Sequence, residues 1–359
     1  MDETKHMPLS LYGLSADNLV KALELPKPYE GKQIYRWLVK GATSFSGMSD
    51  LSKNERERLS ALMPSLCSST VETTSSDEGA TKLAIKLYDG NIVECVILTD
   101  RKGRHTACLS SQVGCAMGCA FCRTGTMGLT RNLATEEIIE QFVHLSKIGE
   151  ISHIVFMGMG EPMANLPSVL RAIRYFHDPE GFGISHRRIT ISTSGIIPGI
   201  NKIAELKLPV RLAVSLVTAD DALRGRIMPV NKSFPLGDLK QALLSYQHDG
   251  GKRFTFEYCM LGGVNTTESS AKKLASYCKG LDVIINLIPY NEAAELHWST
   301  PTEEETNRFT HYLDAMHVKY TIRISRGGNI SGACGQLATE ALQGEEDEDE
   351  GDDDSTEAW

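Results

Sequence analysis

The chain reads as an α/β protein built on parallel strands and preceded by a small helical module. Three observations carry this. From about residue 105 onward, short apolar runs alternate with segments of helical period. Residues 1–68 show only helical patterns. Between them, residues 69–104 turn to a period of two around an Asp-Gly pair, the signature of a β-hairpin linker. Strand–helix–strand alternation requires right-handed crossovers, hence a barrel or an open parallel sheet with its chemistry at the carboxyl ends of the strands.

In the helical module, Ser15 caps a first helix running to Leu23, and Pro26 and Pro28 interrupt it. A second helix follows over Gly31–Lys40. Lys32, Arg36 and Lys40 recur every four residues on one face, with Ile34, Trp37 and Leu38 on another. Such a basic stripe suits a phosphate backbone, as well as an ordinary solvated face. A third helix is expected from Asp50 to Met63. Leu83, Ile85 and Leu87 then share one face of a strand, Asp89-Gly90 turns, and Asn91–Leu98 returns. Glu94 lies within that apolar return strand. It is either an edge or surface acid, or a pocket acid whose raised pKa suits proton transfer.

The parallel strands are expected at Thr106–Ser110, His153–Met157, Arg188–Thr193, Val210–Leu216, Phe254–Met260, Val283–Ile288 and Tyr320–Ile324. Helices fit between them at Thr135–Lys147, Leu166–Phe176, Pro198–Leu206, Pro235–His248, Ser269–Lys279 and Thr302–His317.

The 359 residues carry a net charge of −9, but ten of the acids fall between Glu345 and Trp359. Without that tail the chain is near neutral, so a basic RNA-binding face is not excluded. The tail (residues 341–359) is disordered on composition. No apolar run is long enough to span a membrane. No export signal is legible, and the nine cysteines form no regular disulfide framework, so a reducing cytoplasm is expected.

Cys115, Cys119 and Cys122 stand at C-x3-C-x2-C just after the first barrel strand. Three thiolates without a local fourth suit a cubane iron–sulfur cluster with one open iron better than a closed structural zinc. Three small buried hydrophobes are the plainer alternative. Gly158–Pro162, Ser192–Gly195, Ser215–Val217 and Asn291 fall at successive strand ends, where together they can ring one ligand. Cys108 and Cys334 lie outside the triplet; Arg323 and Arg326 would lower the Cys334 pKa if they fold beside it. Cys67, Cys95, Cys259 and Cys278 read as structural.

With these motifs in order, from about Leu14 to Ala338, the chain resembles the radical S-adenosylmethionine (SAM) RNA methyltransferases of the RlmN/Cfr family. The strings that carry the resemblance are Ser110–Cys115, the cysteine triplet, Arg131–Leu133, Gly158–Pro162, Ser192–Gly195, Met228–Asn231 and Cys334–Leu337. The resemblance implies a partial (β/α)6 TIM-like barrel with a helical RNA-binding accessory domain, the barrel and its catalytic cysteine segment occupying residues 105–340. It implies a 4Fe–4S cluster on Cys115, Cys119 and Cys122, with SAM on the open iron and against Gly160, Glu161, Ser192, Ser215, Leu216, Val217 and Asn291. Cys334 is implied as the cysteine that carries a methyl group to an adenine ring carbon. Cys108 is implied as its disulfide partner on product release, and Glu94 as the proton acceptor. The implied substrate is C2 of an adenosine in 23S rRNA, with tRNA for some members; Cfr-type enzymes methylate C8 of the same adenosine. An electron donor such as flavodoxin or ferredoxin and a monomeric state go with it. Relatives usually carry histidine where this chain has Val217, which removes one side chain able to hydrogen-bond SAM. Two other classes fit parts of the pattern: an RNA-binding protein with a structural cluster, and a radical SAM enzyme acting on another substrate. Cys334 argues against the latter, which has no use for a methyl-carrying cysteine.

Overall fold

A computed structural model of the chain describes residues 9–77, 79–250, 253–323 and 326–338. The acidic tail and the expected strand end at Ile324 lie outside the described residues. The helical module comprises α1 (Ala16–Ala22), α2 (Pro28–Val39) and α3 (Lys53–Leu62). Pro28 opens α2 instead of only ending α1, because the first helical turn needs no intrahelical N–H from it. Gly31 lets α1 and α2 cross closely, since a Cβ there would lie 2.3 Å from the Ala16 carbonyl oxygen. Ile34, Tyr35 and Leu38 form the buried face of α2, while Lys32, Arg36 and Lys40 are exposed. Trp37 is only half-buried, and its indole donates to Asp50 Oδ1 at 2.6 Å.

Twelve strands follow among the described residues. Ten form one sheet: β1 (Thr70–Asp77), β2 (Ala80–Lys86), β3 (Ile92–Thr99), β4 (His105–Cys108), β7 (Ile151–Phe156), β8 (Ile189–Thr193), β9 (Arg211–Ser215), β10 (Phe254–Met260), β11 (Val283–Pro289) and β12 (Tyr320–Ile322), hydrogen-bonded in that order. From β4 to β12 all pairings are parallel. The crossover helices are α5 (Thr135–Ser146), α6 (Leu166–His177), α7 (Ile197–Glu205), α9 (Leu236–Gly250), α10 (Glu268–Cys278) and α11 (Glu303–Ala315). Six strand–helix units and a final strand thus make the open, partial barrel that the resemblance implies, with the apolar sides of strands and helices sharing one core.

The 69–104 segment is not a linker. Its strands pair antiparallel and extend the barrel sheet, β3 lying directly on β4. Strand β1 gave no apolar alternation because it is an exposed edge rich in Ser, Thr and acid. Also unpredicted are the hairpin β5 (Gln112–Gly114) and β6 (Leu129–Asn132), the one-turn α4 (Arg123–Thr126) between them, and α8 (Asp221–Ile227).

The module is joined to the barrel by polar contacts as well as by its core. Tyr35 donates to Asp178 at 2.6 Å. Glu140 on α5 accepts the Ser68 N–H at 2.8 Å and the hydroxyls of Ser68 and Ser69. Its neighbours His144 and Cys67 are buried as well, and the three ligand-type atoms lie within 4.8 Å of one another. Because serine donors already fill the Glu140 carboxylate, the cluster reads as a sealed seam between module and barrel. Burial, helped by the Lys147 ammonium, pushes the His144 imidazole down to about 4 from its ordinary 6.5. The unfolded chain therefore takes up this proton before the folded one. The contribution is absent above about pH 6.5 and destabilises progressively as pH falls toward 4, by up to about 3 kcal/mol. Urea unfolding at stepped pH should show that slope reduced in His144→Gln; parallel slopes in both proteins would contradict it.

Candidate active site

The cysteine triplet lies on the loop between β5 and β6. The loop closes at its base through Cys115 N–H to Gly128 O at 2.7 Å. Gly114 makes the turn possible: its φ is +74°, and a Cβ would fall 2.0 Å from Gly128 O. The flanking motifs brace this loop. Ser110 donates to Glu94 O at 2.5 Å and accepts the Met159 N–H. Gln112 links Asn132 at 2.7 Å to the Glu161 N–H at 2.8 Å. Arg131 makes a two-pronged ion pair with Glu137, at 2.8 Å for each bond, and reaches Asp89.

Cys115, Cys119 and Cys122 face a cavity at the carboxyl ends of the barrel strands, together with Gly160, Glu161, Ser192, Ser215, Val217 and Asn291. Of the seven residues implied for SAM, only Leu216 is absent from its wall. That side chain is buried in the core, its N–H bonds Glu257 O and its carbonyl accepts Arg224 Nε. Gly160 has a φ of +97°, and a Cβ there would sit 2.5 Å from Gln112 Cβ, so only glycine lets the β7 loop pass this close. Glu161 does not stand free for a cation. One oxygen accepts the Met163 N–H at 3.0 Å; the other accepts the Ser194 N–H at 2.7 Å and its hydroxyl at 2.8 Å. Val217 occupies the left-handed region at φ +60°, a strained setting for a β-branched residue.

Arg224, fully buried, ties these strand ends together. It donates to Ser194 O (2.6 Å), Ser215 O (3.2 Å), Leu216 O (3.2 Å) and Asn231 Oδ1 (2.9 Å). The Met228–Asn231 motif therefore serves the architecture, because its Asn231 helps hold the arginine that pins β8 and β9.

The segment after β12 folds back over the barrel mouth. Arg123 N–H donates to Gly335 O at 2.9 Å, Thr124 to Leu337 O at 2.7 Å, and Asn291 to Cys334 O at 3.2 Å. Cys334 thereby lines the cavity of the triplet and also an adjoining one that contains Cys108, Arg323 and Arg326. Both thiols are free. Burial pushes the Cys108 thiol up to about 12. The Arg323 guanidinium is held above its ordinary value, chiefly by the nearby Cys334 sulfur. Arg323 and Arg326 line the same cavity as Cys334.

Glu94 is neither an edge residue nor on the wall of either cavity. It is 1% exposed on the central strand β3, ion-paired to Lys82 at 2.8 Å, and accepts the Ala338 N–H at 2.8 Å. Burial raises its pKa, against the opposing pull of Lys82 and Ala338. In this arrangement Glu94 anchors the end of the Cys334 segment. Cys259, read from sequence as structural, lines the triplet cavity. Glu257 and Tyr290 line it too and were not singled out, since an isolated acid or tyrosine in an apolar run has no local partner to betray it.

The three triplet thiols share one cavity wall and act on one another electrostatically, a soft donor set of the kind that iron–sulfur clusters take. Among the described residues, three ligand-type atoms come within 4.8 Å of one another only at Cys67, Glu140 and His144. The three triplet sulfurs do not all lie that close together.

A model of the radical SAM superfamily matches residues 109–275, and one of the ribosomal RNA large subunit methyltransferase N-terminal domain matches residues 11–64. A probable dual-specificity RNA methyltransferase RlmN of Treponema pallidum (strain Nichols) is 45% identical over 92% of this chain and 98% of its own length. The chain belongs to the RlmN family. A dual-specificity RNA methyltransferase RlmN of Geobacter sulfurreducens is 42% identical over 92% of each chain. The crystal structure of a radical SAM methyltransferase from Sphaerobacter thermophilus matches with a TM-score of 0.87 at 38% identity, covering 92% of this chain and 99% of that one. As an RlmN-family member the chain is a SAM-dependent RNA methyltransferase with a radical SAM fold. Among its described residues, no helix is long and apolar enough to cross a membrane.

Proposed function

We propose that this enzyme methylates C2 of an adenosine in 23S rRNA, and the corresponding position of a tRNA adenosine, with Cys334 as the methyl carrier. The observation that carries the reading is the position of Cys334 on the shared wall of two cavities, one with the cysteine triplet and one with Cys108. Cys115, Cys119 and Cys122 would hold a 4Fe–4S cluster. Gly160, Glu161, Ser192, Ser215, Val217 and Asn291 would hold SAM, and cluster and cofactor together supply the methyl group and the one-electron chemistry that an unreactive aromatic C–H requires.

The chain's own groups do the rest. Asn291, Arg123 and Thr124 keep the Cys334 segment closed over the cavity. Arg323 stands on the wall of both cavities with Cys334 and places its positive charge near that sulfur. Cys108, protonated at rest, waits on the far wall as the thiol whose disulfide with Cys334 would free the product. Glu94, already tied to the segment through Ala338, is poised to take a proton when that segment shifts. A ribosomal or transfer RNA substrate would be met in the cytoplasm, and a flavodoxin- or ferredoxin-type donor would supply the electrons.

Mass spectrometry of rRNA and tRNA from cells with and without the gene tests this. Loss of 2-methyladenosine in the deletion is expected. Unchanged 2-methyladenosine, or loss of 8-methyladenosine instead, would overturn the assignment.

A further inference from the structure

Two buried polar atoms on the wall of the triplet cavity have no protein partner: Glu257 Oε2 and the Tyr290 hydroxyl. Glu257 stands on β10 in register with Ser215 on β9 and Asn286 on β11. Phe256 and Tyr258, on either side of it, point the other way into the core. Its Oε1 is firmly held, accepting from Thr255 Oγ1 at 2.9 Å and from Asn286 Nδ2 at 2.9 Å. Thr321 donates to Asn286 Oδ1 at 2.7 Å, which turns the amide's NH2 group toward the carboxylate. The second oxygen is thereby aimed into the cavity. Arg323 acts on it through space and not through a hydrogen bond. A buried acceptor without a donor costs about 1–3 kcal/mol, more when charged. Buried polar atoms in folded proteins are otherwise almost always satisfied, so a cost retained at a cavity wall points to a ligand that removes it.

We propose that Glu257 is a further cofactor-contacting residue, its Oε2 accepting a hydrogen bond from a ribose hydroxyl of SAM. This rests on the function proposed above. The choice of ribose follows from depth. With SAM held at a cluster on the triplet, its sulfonium would lie at the triplet end of the cavity. Cys259, two residues along β10, feels both Cys122 and Cys334 and so belongs to that end. Glu257 is one side-chain step deeper, about 7 Å, at the level of Ser215. The part of the cofactor one step from its sulfur is the ribose, whose hydroxyls donate to a carboxylate. The ribose of the RNA substrate is the other source of the same chemistry, but Glu257 does not line the cavity that holds Cys108.

The test measures SAM affinity by equilibrium dialysis on the cluster-loaded, full-length protein without RNA. Glu257→Gln is expected to weaken SAM binding about tenfold, the worth of one charge-assisted hydrogen bond, with iron and sulfide per chain unchanged. A SAM analogue lacking the bonded 2′- or 3′-hydroxyl should bind the wild type about tenfold less tightly than SAM, and Glu257→Gln no less tightly than SAM itself. Thr255→Val, which removes one of the two bonds that orient the carboxylate, should show a smaller loss of the same sign and guards against misfolding of the first variant. Equal SAM affinity in wild type and Glu257→Gln overturns the proposal, as do analogue and substitution losses that simply add. A wild type that binds no SAM overturns the function reading itself, a result distinguishable from either of those.

Discussion

Cys334→Ala is expected to carry the same iron and sulfide per chain as the wild type, bind SAM with similar affinity, and form no 2-methyladenosine above background. The structure explains why these readouts should separate. The main-chain contacts that seat the segment, from Asn291 to Cys334 O, from Arg123 to Gly335 O and from Thr124 to Leu337 O, do not involve the thiol. Removing one partly exposed sulfur therefore costs little stability. What is lost is, among the described residues, the only thiol on the wall common to both cavities, as Cys108 reaches just one and the triplet just the other. Methylation assays with anaerobically reconstituted protein and an RNA fragment would read this. Appreciable methyl transfer by Cys334→Ala would remove the methyl-cysteine route.

Arg224→Met is expected to lower stability by about 3 kcal/mol, the cost of leaving several buried acceptors without donors after allowing for the charge no longer buried. Burial already disfavours the charged guanidinium, lowering its pKa. The hydrogen bonds to Ser194 O, Ser215 O and Leu216 O offset that cost. Methionine fills similar space but donates to none of them. Because those carbonyls set the ends of β8 and β9, SAM affinity should fall along with the urea midpoint. A variant with wild-type stability and SAM affinity would show that the strand ends hold their shape without the arginine.

Where a barrel strand packs one face wholly or mostly into the core, its apolar residues are visible in the sequence; β10 and β11 stand out for that reason. Strand β1 is invisible because its edge is solvated, and α8 because its key residue, Arg224, is charged yet wholly buried. Glu94 looked like an edge acid since nothing nearby in the sequence announces Lys82 and Ala338 as its partners. The 69–104 hairpin passed for a linker because antiparallel pairing with β4 leaves no mark in its own alternation.

The sequence by itself determined the cysteine triplet, the alternating strands and helices, the glycines at Gly158 and Gly160, and hence the family. These are short-range patterns, set by spacing along one loop or by the period of one element. Only the tertiary structure decided that Cys334 lines two cavities, that Arg224 locks the strand ends, that Glu161 is engaged by Ser194, and that Glu257, on the wall of the triplet cavity, keeps one oxygen without a protein partner. Each of these depends on groups far apart in the chain meeting in a low-dielectric interior, where an unpaired charge is costly and a partner must be found. Spacing carries no record of that meeting; the packing of β8 to β12 around one cavity does.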